Sequence, residues 1–180
     1  PLSIMDLPQH PEPQTPRVIV LGAGFGGLRF CRDFLKQKVK AELILIDRQN
    51  HHLFQPLLYQ VATTGLSAPD IAQPVRSLFP SDELSVFMET VDSIDMEQKA
   101  IVVRGEQYHY DYLIIGLGGK TSYFGNDHWS KHALGLKTLE DARKIRNQLL
   151  RAFETAESNY NQPEVVAREL TVLVCGAGPT

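Results

Sequence analysis

Apolar residues are grouped along residues 17–47 in the order that predicts a strand, a helix and a second strand. The run at 18–21 is continuously apolar, which is typical of a parallel strand covered on both faces. A helix is predicted next, because apolar residues recur at helical spacing: Leu28, Cys31, Phe34 and Leu35. A second apolar run at 43–46 ends at Asp47. The whole segment has the length of one βαβ unit.

Further strands and a small antiparallel element are predicted beyond this unit. Apolar runs bounded by turn-forming residues predict strands at 84–91, 112–115 and 171–175. Residues 100–104 and 107–110 are expected to pair through a turn at Gly105, after a charged, turn-like stretch at 93–99. The pattern as a whole predicts an α/β fold with a small antiparallel β element.

A long helix is predicted at residues 138–157, because apolar side chains line one face of it at helical spacing. Thr138 and Asp141 at its start have the spacing of a capping box, in which each side chain accepts a hydrogen bond from the other residue's backbone N–H group. Residues 158–170 are mostly polar and are predicted to be a link to the strand at 171–175.

Residues 50–80 have a different pattern, with prolines interrupting apolar residues. We expect a loop followed by short helical pieces near 68–78. A long irregular insert within a compact domain is usually functional or disordered, and the apolar content here argues against disorder.

The composition is that of an ordinary globular chain, with 180 residues, 43% hydrophobic and 22% charged. The formal net charge of -3 argues against a nucleic-acid partner. No apolar run approaches the roughly 20 residues of a membrane-spanning helix. Residues 1–16 are rich in proline and predict a disordered or extended leader.

Neither the cysteines nor the histidines have the spacing of a metal site. Cys31 and Cys175 lie far apart in apolar surroundings, so we expect buried, inert thiols and a reducing, cytoplasmic setting. His51 and His52 are adjacent, and no third ligand is spaced near them. We therefore expect no bound metal.

The turn between the first predicted strand and the helix has a glycine-rich motif, formed by Gly22, Ala23, Gly24, Phe25, Gly26 and Gly27. In such a motif Gly22 permits the tight turn, Gly24 lets the backbone approach a pyrophosphate, and Gly27 lets helix and strand pack closely. The helix N-terminus attracts phosphate. Asp47 ends the second strand, where a carboxylate can accept hydrogen bonds from both ribose hydroxyls. These parts together predict a dinucleotide site.

Two further segments concern the identity of the dinucleotide. Residues 176–180 match the beginning of a second glycine motif, an arrangement that resembles flavoproteins with one domain for FAD and one for NAD(P)H. Gly116, Leu117 and Gly118 follow the strand at 112–115 and resemble the segment that returns beside the flavin pyrophosphate. Leu117 stands where threonine is usual, which removes one hydrogen bond worth about 0.5–1.5 kcal/mol.

Residues 50–62, with Asp47 and Arg48 before them and 71–76 after them, closely resemble type II NADH:quinone oxidoreductases. Residues 123–127 and 136–142 resemble the same family, so that the resemblance covers about residues 17–180. The C-x4-C pair of the flavoprotein disulfide reductases does not follow the first βαβ unit. The electron acceptor is therefore expected to be external.

The resemblance implies a Rossmann-like FAD-binding domain at residues 17–165 and the beginning of an NAD(P)H-binding domain at 166–180. It implies that Arg48 lies in the cofactor site and that Pro56 and Leu57 lie beside the flavin. The resemblance also implies that the backbone near Val91, at the end of the strand predicted at 84–91, faces the adenine.

The implied activity is FAD-dependent, non-proton-pumping NADH:quinone oxidation. NADH binding and peripheral membrane attachment, at the cytoplasmic face, would belong to parts of a longer parent. The catalytic residues are unknown, and we expect the 180 residues alone to bind FAD weakly or not at all and to be inactive.

Several alternatives remain open at this point. The parent could use another acceptor, such as ferredoxin, or the chain could be a non-catalytic nucleotide-binding fragment. An NAD-only dehydrogenase is a further alternative, which the block at 50–76 disfavours. The quinone type, the choice between NADH and NADPH, and the oligomeric state, with a homodimer among the alternatives, are not determined by the sequence.

Overall fold

The computed structural model describes residues 6, 8–10, 15–79 and 83–176. The strands are β1 Arg17–Leu21, β2 Glu42–Asp47, β3 His51–Leu53, β4 Ala72–Pro74, β5 Ser85–Met88, β6 Ser93–Asp95, β7 Ala100–Val103, β8 Glu106–His109 and β9 Tyr112–Ile115. The α-helices are α1 Phe25–Lys36, α2 Leu58–Ala62, α3 Ala68–Ile71, α4 Leu139–Ser158 and α5 Pro163–Glu169. The chain divides into two compact units, the first within residues 1–52 and 73–119 and the second within residues 53–72 and 120–180.

The first unit contains a parallel four-stranded sheet in the order β5-β2-β1-β9. In the centre of this sheet, Val20 of β1 lies opposite Leu45 of β2 and Ile114 of β9. The helix α1 connects β1 to β2, so the predicted βαβ unit and the Rossmann-like α/β class are confirmed. The strand predicted at 84–91 is shorter than expected and spans Ser85–Met88.

Successive side chains of the central strands point to opposite faces of the sheet, and both faces are covered. One face packs against β7 and β8, in a cluster that includes Ile19, Leu21, Ile44, Ile46, Phe87, Ile101, Val103 and Tyr108. The other face packs against α1, in a cluster that includes Val18, Val20, Leu43, Leu45, Leu28 and Cys31. Burial on both faces explains why these strands are continuously apolar in the sequence.

The antiparallel element was predicted in part. The pairing of β7 with β8 around Gly105 is confirmed. The stretch at 93–99 was expected to be a turn only, but its first residues form β6, which pairs with β7. This strand is three residues long, and the partner strand provides its hydrogen bonds, so the local pattern could not reveal it.

Arg17 is a charged residue buried in the first unit, with 1% of its surface exposed. Its guanidinium lies 2.7 Å from Glu42 Oε2 and donates a hydrogen bond to the carbonyl of Pro8. The carbonyl of Gln9 accepts a hydrogen bond from the N–H of His109 at 2.8 Å. The described residues of the predicted leader therefore contact the sheet, and the remainder of that prediction lies outside the described residues.

The second unit contains α2 to α5, with a small apolar cluster that includes Leu58, Val61, Ala62, Ile71 and Ala142. The predicted long helix is confirmed as Leu139–Ser158. Its capping box is confirmed too, because the N–H of Asp141 donates to Thr138 Oγ1 at 3.1 Å and the N–H of Thr138 donates to Asp141 Oδ2 at 2.9 Å.

The end of the described chain differs from the prediction. Residues 158–170 contain the helix α5, which begins at Pro163, rather than only a polar link. The strand predicted at 171–175 is wrong, because these residues form neither strand nor helix. Cys175 is exposed and Cys31 is buried, so the expectation of two buried thiols holds only for Cys31. The predicted second glycine motif lies outside the described residues beyond Gly176.

The block at 50–80 is more regular than the predicted loop. The short strands β3 and β4 pair with each other, and a 3-10 helix at Gln55–Leu57 leads into α2. The helical pieces expected near 68–78 are present as α3 and as a 3-10 helix at Val75–Leu78. Over the ranges that the structure describes, no helix combines the length and the apolar character needed to cross a bilayer.

Candidate dinucleotide-binding site

The turn after β1 requires glycine at its first position. Gly22 has a φ of +99°, a conformation that L-residues with a side chain rarely adopt. A Cβ atom there would overlap the carbonyl oxygen of Gly116. The N–H of Gly22 donates to the carbonyl of Ile46 at 2.8 Å, so the turn is also bonded to β2.

Gly27 and Gly116 let the backbones of α1 and of the segment after β9 approach the turn at Gly22 closely. A Cβ atom on Gly27 would overlap the carbonyl oxygen of Gly22, so α1 can approach the turn only with glycine there. Gly116 donates a hydrogen bond from its N–H to the carbonyl of Leu21 at 2.8 Å. A Cβ on Gly116 would lie 3.2 Å from the nitrogen of Gly27. The predicted roles of Gly22 and Gly27 in turn formation and close packing agree with this geometry.

Gly24 and Gly26 differ from these three glycines because space lies beside them. A Cβ on Gly24 would meet only the carbonyl oxygen of Gly116, at 3.9 Å, and one on Gly26 would meet nothing within 4 Å. Gly24 is the N-cap of α1, and its φ of -76° suits any residue. The contacts of the fold therefore do not require glycine at 24.

Asp47, at the end of β2, is directed at the turn. Its Oδ2 accepts a hydrogen bond from the N–H of Ala23 at 2.6 Å, and its Oδ1 accepts one from the N–H of Gln49 at 2.7 Å. An ionised carboxylate has about four acceptor sites, so two remain for ribose hydroxyls. The neighbouring Arg48 is exposed.

His52 also contacts the turn, although the sequence did not single it out for this role. Its Nδ1 lies 3.0 Å from the carbonyl oxygen of Ala23, and its ring meets the ring of Phe25 edge-on, with 5.0 Å between centroids. The contact joins positions 29 residues apart in the chain, and no local pattern encodes such a separation.

The remaining predicted positions in the first unit differ in burial and in the contacts of their backbone. Leu117 is 66% exposed, and Gly118 has a φ of +69° with no atom within 4 Å of a Cβ. Val91 is half-buried against the apolar cluster of the sheet. The adjacent backbone is held at two points, because the N–H of Glu89 donates to Asp47 and the N–H of Asp92 donates to Val102.

Pro56 and Leu57 belong to the second unit. Pro56 is exposed, and Leu57 packs on the apolar cluster around α2. Their expected position beside the flavin stays a prediction. In the described ranges, no three His, Cys, Asp or Glu residues are grouped so as to hold a metal ion.

A parallel sheet, a glycine-rich turn closed by backbone contacts and a carboxylate at the end of β2 define a dinucleotide-binding protein. Residues 16–180 match the family model described as pyridine nucleotide-disulphide oxidoreductase, so the chain belongs to that family.

Two relatives in one organism are type II NADH:quinone oxidoreductases. The chain is 42% identical over 180 residues to the enzyme Ndh of Mycobacterium tuberculosis. The match covers 96% of this chain and 38% of that relative. The chain is 40% identical to NdhA of the same organism, over 91% of the chain and 35% of the relative. The chain therefore spans less than two fifths of the length of these relatives.

The fold is also similar to a solved structure of NDH2 from Plasmodium falciparum in complex with RYL-552. The TM-score is 0.73 and the identity 27%, and the match covers 86% of this chain and 32% of that chain. A second structure of the same protein, in complex with NADH, has a TM-score of 0.72.

Proposed function

We propose that these residues form the FAD-binding part of a type II NADH:quinone oxidoreductase. The observation that carries the proposal is the division among the glycines of the turn. Gly22, Gly27 and Gly116 are required by backbone contacts within the protein, whereas glycine at 24 serves no contact of the protein's own. A residue whose side chain is excluded only by a ligand is expected where a diphosphate meets the backbone.

The residues of the turn fit an adenine dinucleotide in charge as well as in space. The first turn of α1, which the structure describes in full, contains no acidic residue that would oppose an anion. The N–H groups of this turn would bind the diphosphate, and Asp47 would bind the adenosine ribose. FAD in particular is supported by the match to the pyridine nucleotide-disulphide oxidoreductase family and by the resemblance of residues 50–76. When bound, FAD supplies the two-electron chemistry, while the chain binds and orients it.

The substrates and partners of the whole protein are part of the proposal. The printed functions of the relatives support NADH as the electron donor and a quinone as the acceptor. NADH binding is expected from a second nucleotide domain, of which residues 166–180 would be the beginning. We also propose peripheral attachment to the cytoplasmic face of a membrane, which would bring the flavin close to a lipid-soluble quinone.

A single added methyl group tests the proposal. Gly24→Ala would leave the thermal unfolding midpoint unchanged, because its Cβ has space in the protein, but it would weaken FAD binding about tenfold or more. This factor corresponds to the loss of one hydrogen bond to a charged group. FAD affinity would be measured by quenching of flavin fluorescence on titration with the chain.

Gly65→Ala is the matched control, since its Cβ would make ordinary contacts no closer than 3.5 Å and it lies in the second unit. It should change neither stability nor FAD affinity. Because the 180 residues alone are expected to bind FAD weakly or not at all, the same variants are also measured in a longer chain that includes the second nucleotide domain. The proposal fails if neither chain binds FAD, or if the two alanine variants bind it equally well. We expect no quinone-dependent NADH oxidation by the 180 residues, and robust turnover would contradict the assignment of NADH binding to a separate domain.

A further inference from the structure

Both polar atoms of the Ala23 backbone are held by side chains from the strands that follow α1. Asp47 accepts the hydrogen bond of the N–H group at 2.6 Å, and His52 Nδ1 lies 3.0 Å from the carbonyl oxygen. We propose that His52 is a positioning residue, which holds the peptide between Ala23 and Gly24 in the orientation that binds an anionic dinucleotide. The identity of the ligand as an anionic dinucleotide rests on the proposed function, whereas the effect of His52 on the conformation of the turn does not.

The geometry determines which atom of His52 bears a proton. A carbonyl oxygen can only accept a hydrogen bond, so Nδ1 must be the donor. This leaves the Nδ1–H tautomer or the imidazolium as the forms that keep the contact. The edge of the neighbouring Phe25 ring restricts rotation of the imidazole, with 5.0 Å between the ring centroids.

The contact has a consequence on the opposite side of the peptide. In a planar trans peptide, the carbonyl oxygen of Ala23 and the N–H of Gly24 point in opposite directions. A donor at the oxygen polarises the peptide and strengthens the N–H as a donor, by about 10–30% per bond. Gly24 is the N-cap of α1, whose first N–H groups have no acceptor within the helix. His52 would thus act on the anion site without touching the anion.

The chain provides a matched control in the adjacent residue. His51 lies in the same strand, β3, and is half-buried like His52. Its Nδ1 lies 3.2 Å from Oδ1 of Asn50, which is its own neighbour in the chain. Replacing His51 therefore changes the same side chain in the same strand without removing the contact with the turn.

The first experiment uses the chain without added flavin. Amide hydrogen exchange is compared at Ala23, whose N–H donates to Asp47, and at Leu28, whose N–H donates to the carbonyl of Gly24. The comparison covers the unmodified chain, His52→Ala, His52→Asn and His51→Ala. His52→Ala should accelerate exchange of these amides about three- to tenfold, the range expected for one lost hydrogen bond. His52→Asn should restore slow exchange, because its amide nitrogen can lie close to the position of Nδ1. His51→Ala should have no effect.

Two further readouts separate positioning from general stability. The ¹⁵N chemical shift of the Gly24 amide should move in His52→Ala and return in His52→Asn, since it reports polarisation of that one peptide. FAD affinity should fall about three- to tenfold in His52→Ala, with the thermal midpoint unchanged, and should recover in His52→Asn.

The results distinguish this inference from the proposed function. Unchanged exchange and an unchanged Gly24 shift in His52→Ala would overturn the inference, and so would equal effects of His51→Ala. If exchange and shift respond as expected but neither this chain nor a longer chain with the second nucleotide domain binds FAD, the role of His52 in the turn is supported and the proposed function fails.

Discussion

Two segments of the chain have nearly the same sequence but different structures. Residues 17–24 read Arg-Val-Ile-Val-Leu-Gly-Ala-Gly, and residues 171–178 read Thr-Val-Leu-Val-Cys-Gly-Ala-Gly. The first forms β1, in which Val20 is 0% exposed. In the second, which the structure describes as far as Gly176, Leu173 is 88% exposed and no strand forms.

The difference between the two segments lies in their partners. The backbone of β1 is hydrogen-bonded to β2 on one side and to β9 on the other, and apolar clusters cover both of its faces. Residues 171–176 pair with no strand in the described ranges. A run of apolar, β-branched residues thus has a preference for strand conformation, but it forms a strand only when neighbouring strands pair with it and side chains cover its faces.

The largest expected difference concerns the glycines that follow the two runs. Gly22→Ala should lower the free energy of unfolding by about 2–5 kcal/mol, because overpacking costs about 1–3 and the positive φ about 1–2 kcal/mol. Gly176 also has a positive φ, of +112°, but a Cβ there would meet nothing within 4 Å, so Gly176→Ala should cost only the conformational part, about 1–2 kcal/mol. Urea denaturation measures both variants. Equal losses would show that the turn after β1 is not as tightly closed as the geometry indicates.

The two cysteines differ in the same way as the two segments, because Cys31 lies in α1 and packs against β1, whereas Cys175 lies in the second segment and is exposed. Burial raises the pKa of the Cys31 thiol from 9.0 to about 12, so at neutral pH its thiolate fraction is about a thousandfold below that of an unperturbed thiol. Iodoacetamide should therefore modify the exposed Cys175 rapidly, and Cys31 only after unfolding. Mass spectrometry of timed samples, with Cys175→Ser as the control, measures each site. Rapid modification of Cys31 in the folded chain would contradict the closed contact between α1 and β1.

Truncation of one apolar side chain in each run separates buried from exposed positions. Ile19→Ala should destabilise the chain by about 3 kcal/mol, because Ile19 is 1% exposed within the apolar cluster and its loss leaves a cavity. Leu173→Ala should change stability by less than about 0.5 kcal/mol. The midpoints of urea unfolding provide the comparison. A substantial loss in Leu173→Ala would indicate that residues 171–176 are buried in solution.

The smallest expected difference concerns the first residue of each segment, Arg17 or Thr171. Arg17 is tested through its ion-pair partner Glu42. Glu42→Gln removes the carboxylate from the buried Arg17 and should cost about 1–2 kcal/mol, reduced from the value for a fully buried bond because Glu42 is 29% exposed. Thr171→Ala at the equivalent position should cost less than about 0.5 kcal/mol. Thermal unfolding at low and high salt measures both changes. Equal stability of Glu42→Gln and the unmodified chain would show that the other partners of Arg17 suffice.

Local patterns predicted the elements whose cause is local. The strands β1 and β2 are covered on both faces and are continuously apolar, and α4 has both its apolar face and its capping box in the sequence. The three-residue β6 and the seven-residue α5 were missed, because segments this short do not show a recognisable hydrophobic periodicity. The strand expected at 171–175 was wrong because its pattern contains no information about a partner.

The same distinction applies to the candidate site. Glycine spacing predicted the turn and Asp47, since the motif lies within one βαβ unit. His52 could not be predicted, because its contact with Ala23 depends on how the chain returns after β2. Because His51 and His52 are adjacent, the sequence raised the question of a metal site and gave no indication of a contact between His52 and the turn.

The unequal freedom of the glycines would leave a record in evolution. In a lineage that ceased to bind a dinucleotide, Gly22, Gly27 and Gly116 would persist, because folding alone retains them. Gly24 and Gly26 would be the first to accumulate substitutions. A descendant sequence that keeps the first three glycines and has lost Gly24 would thus identify a protein that has retained this architecture after giving up its ligand.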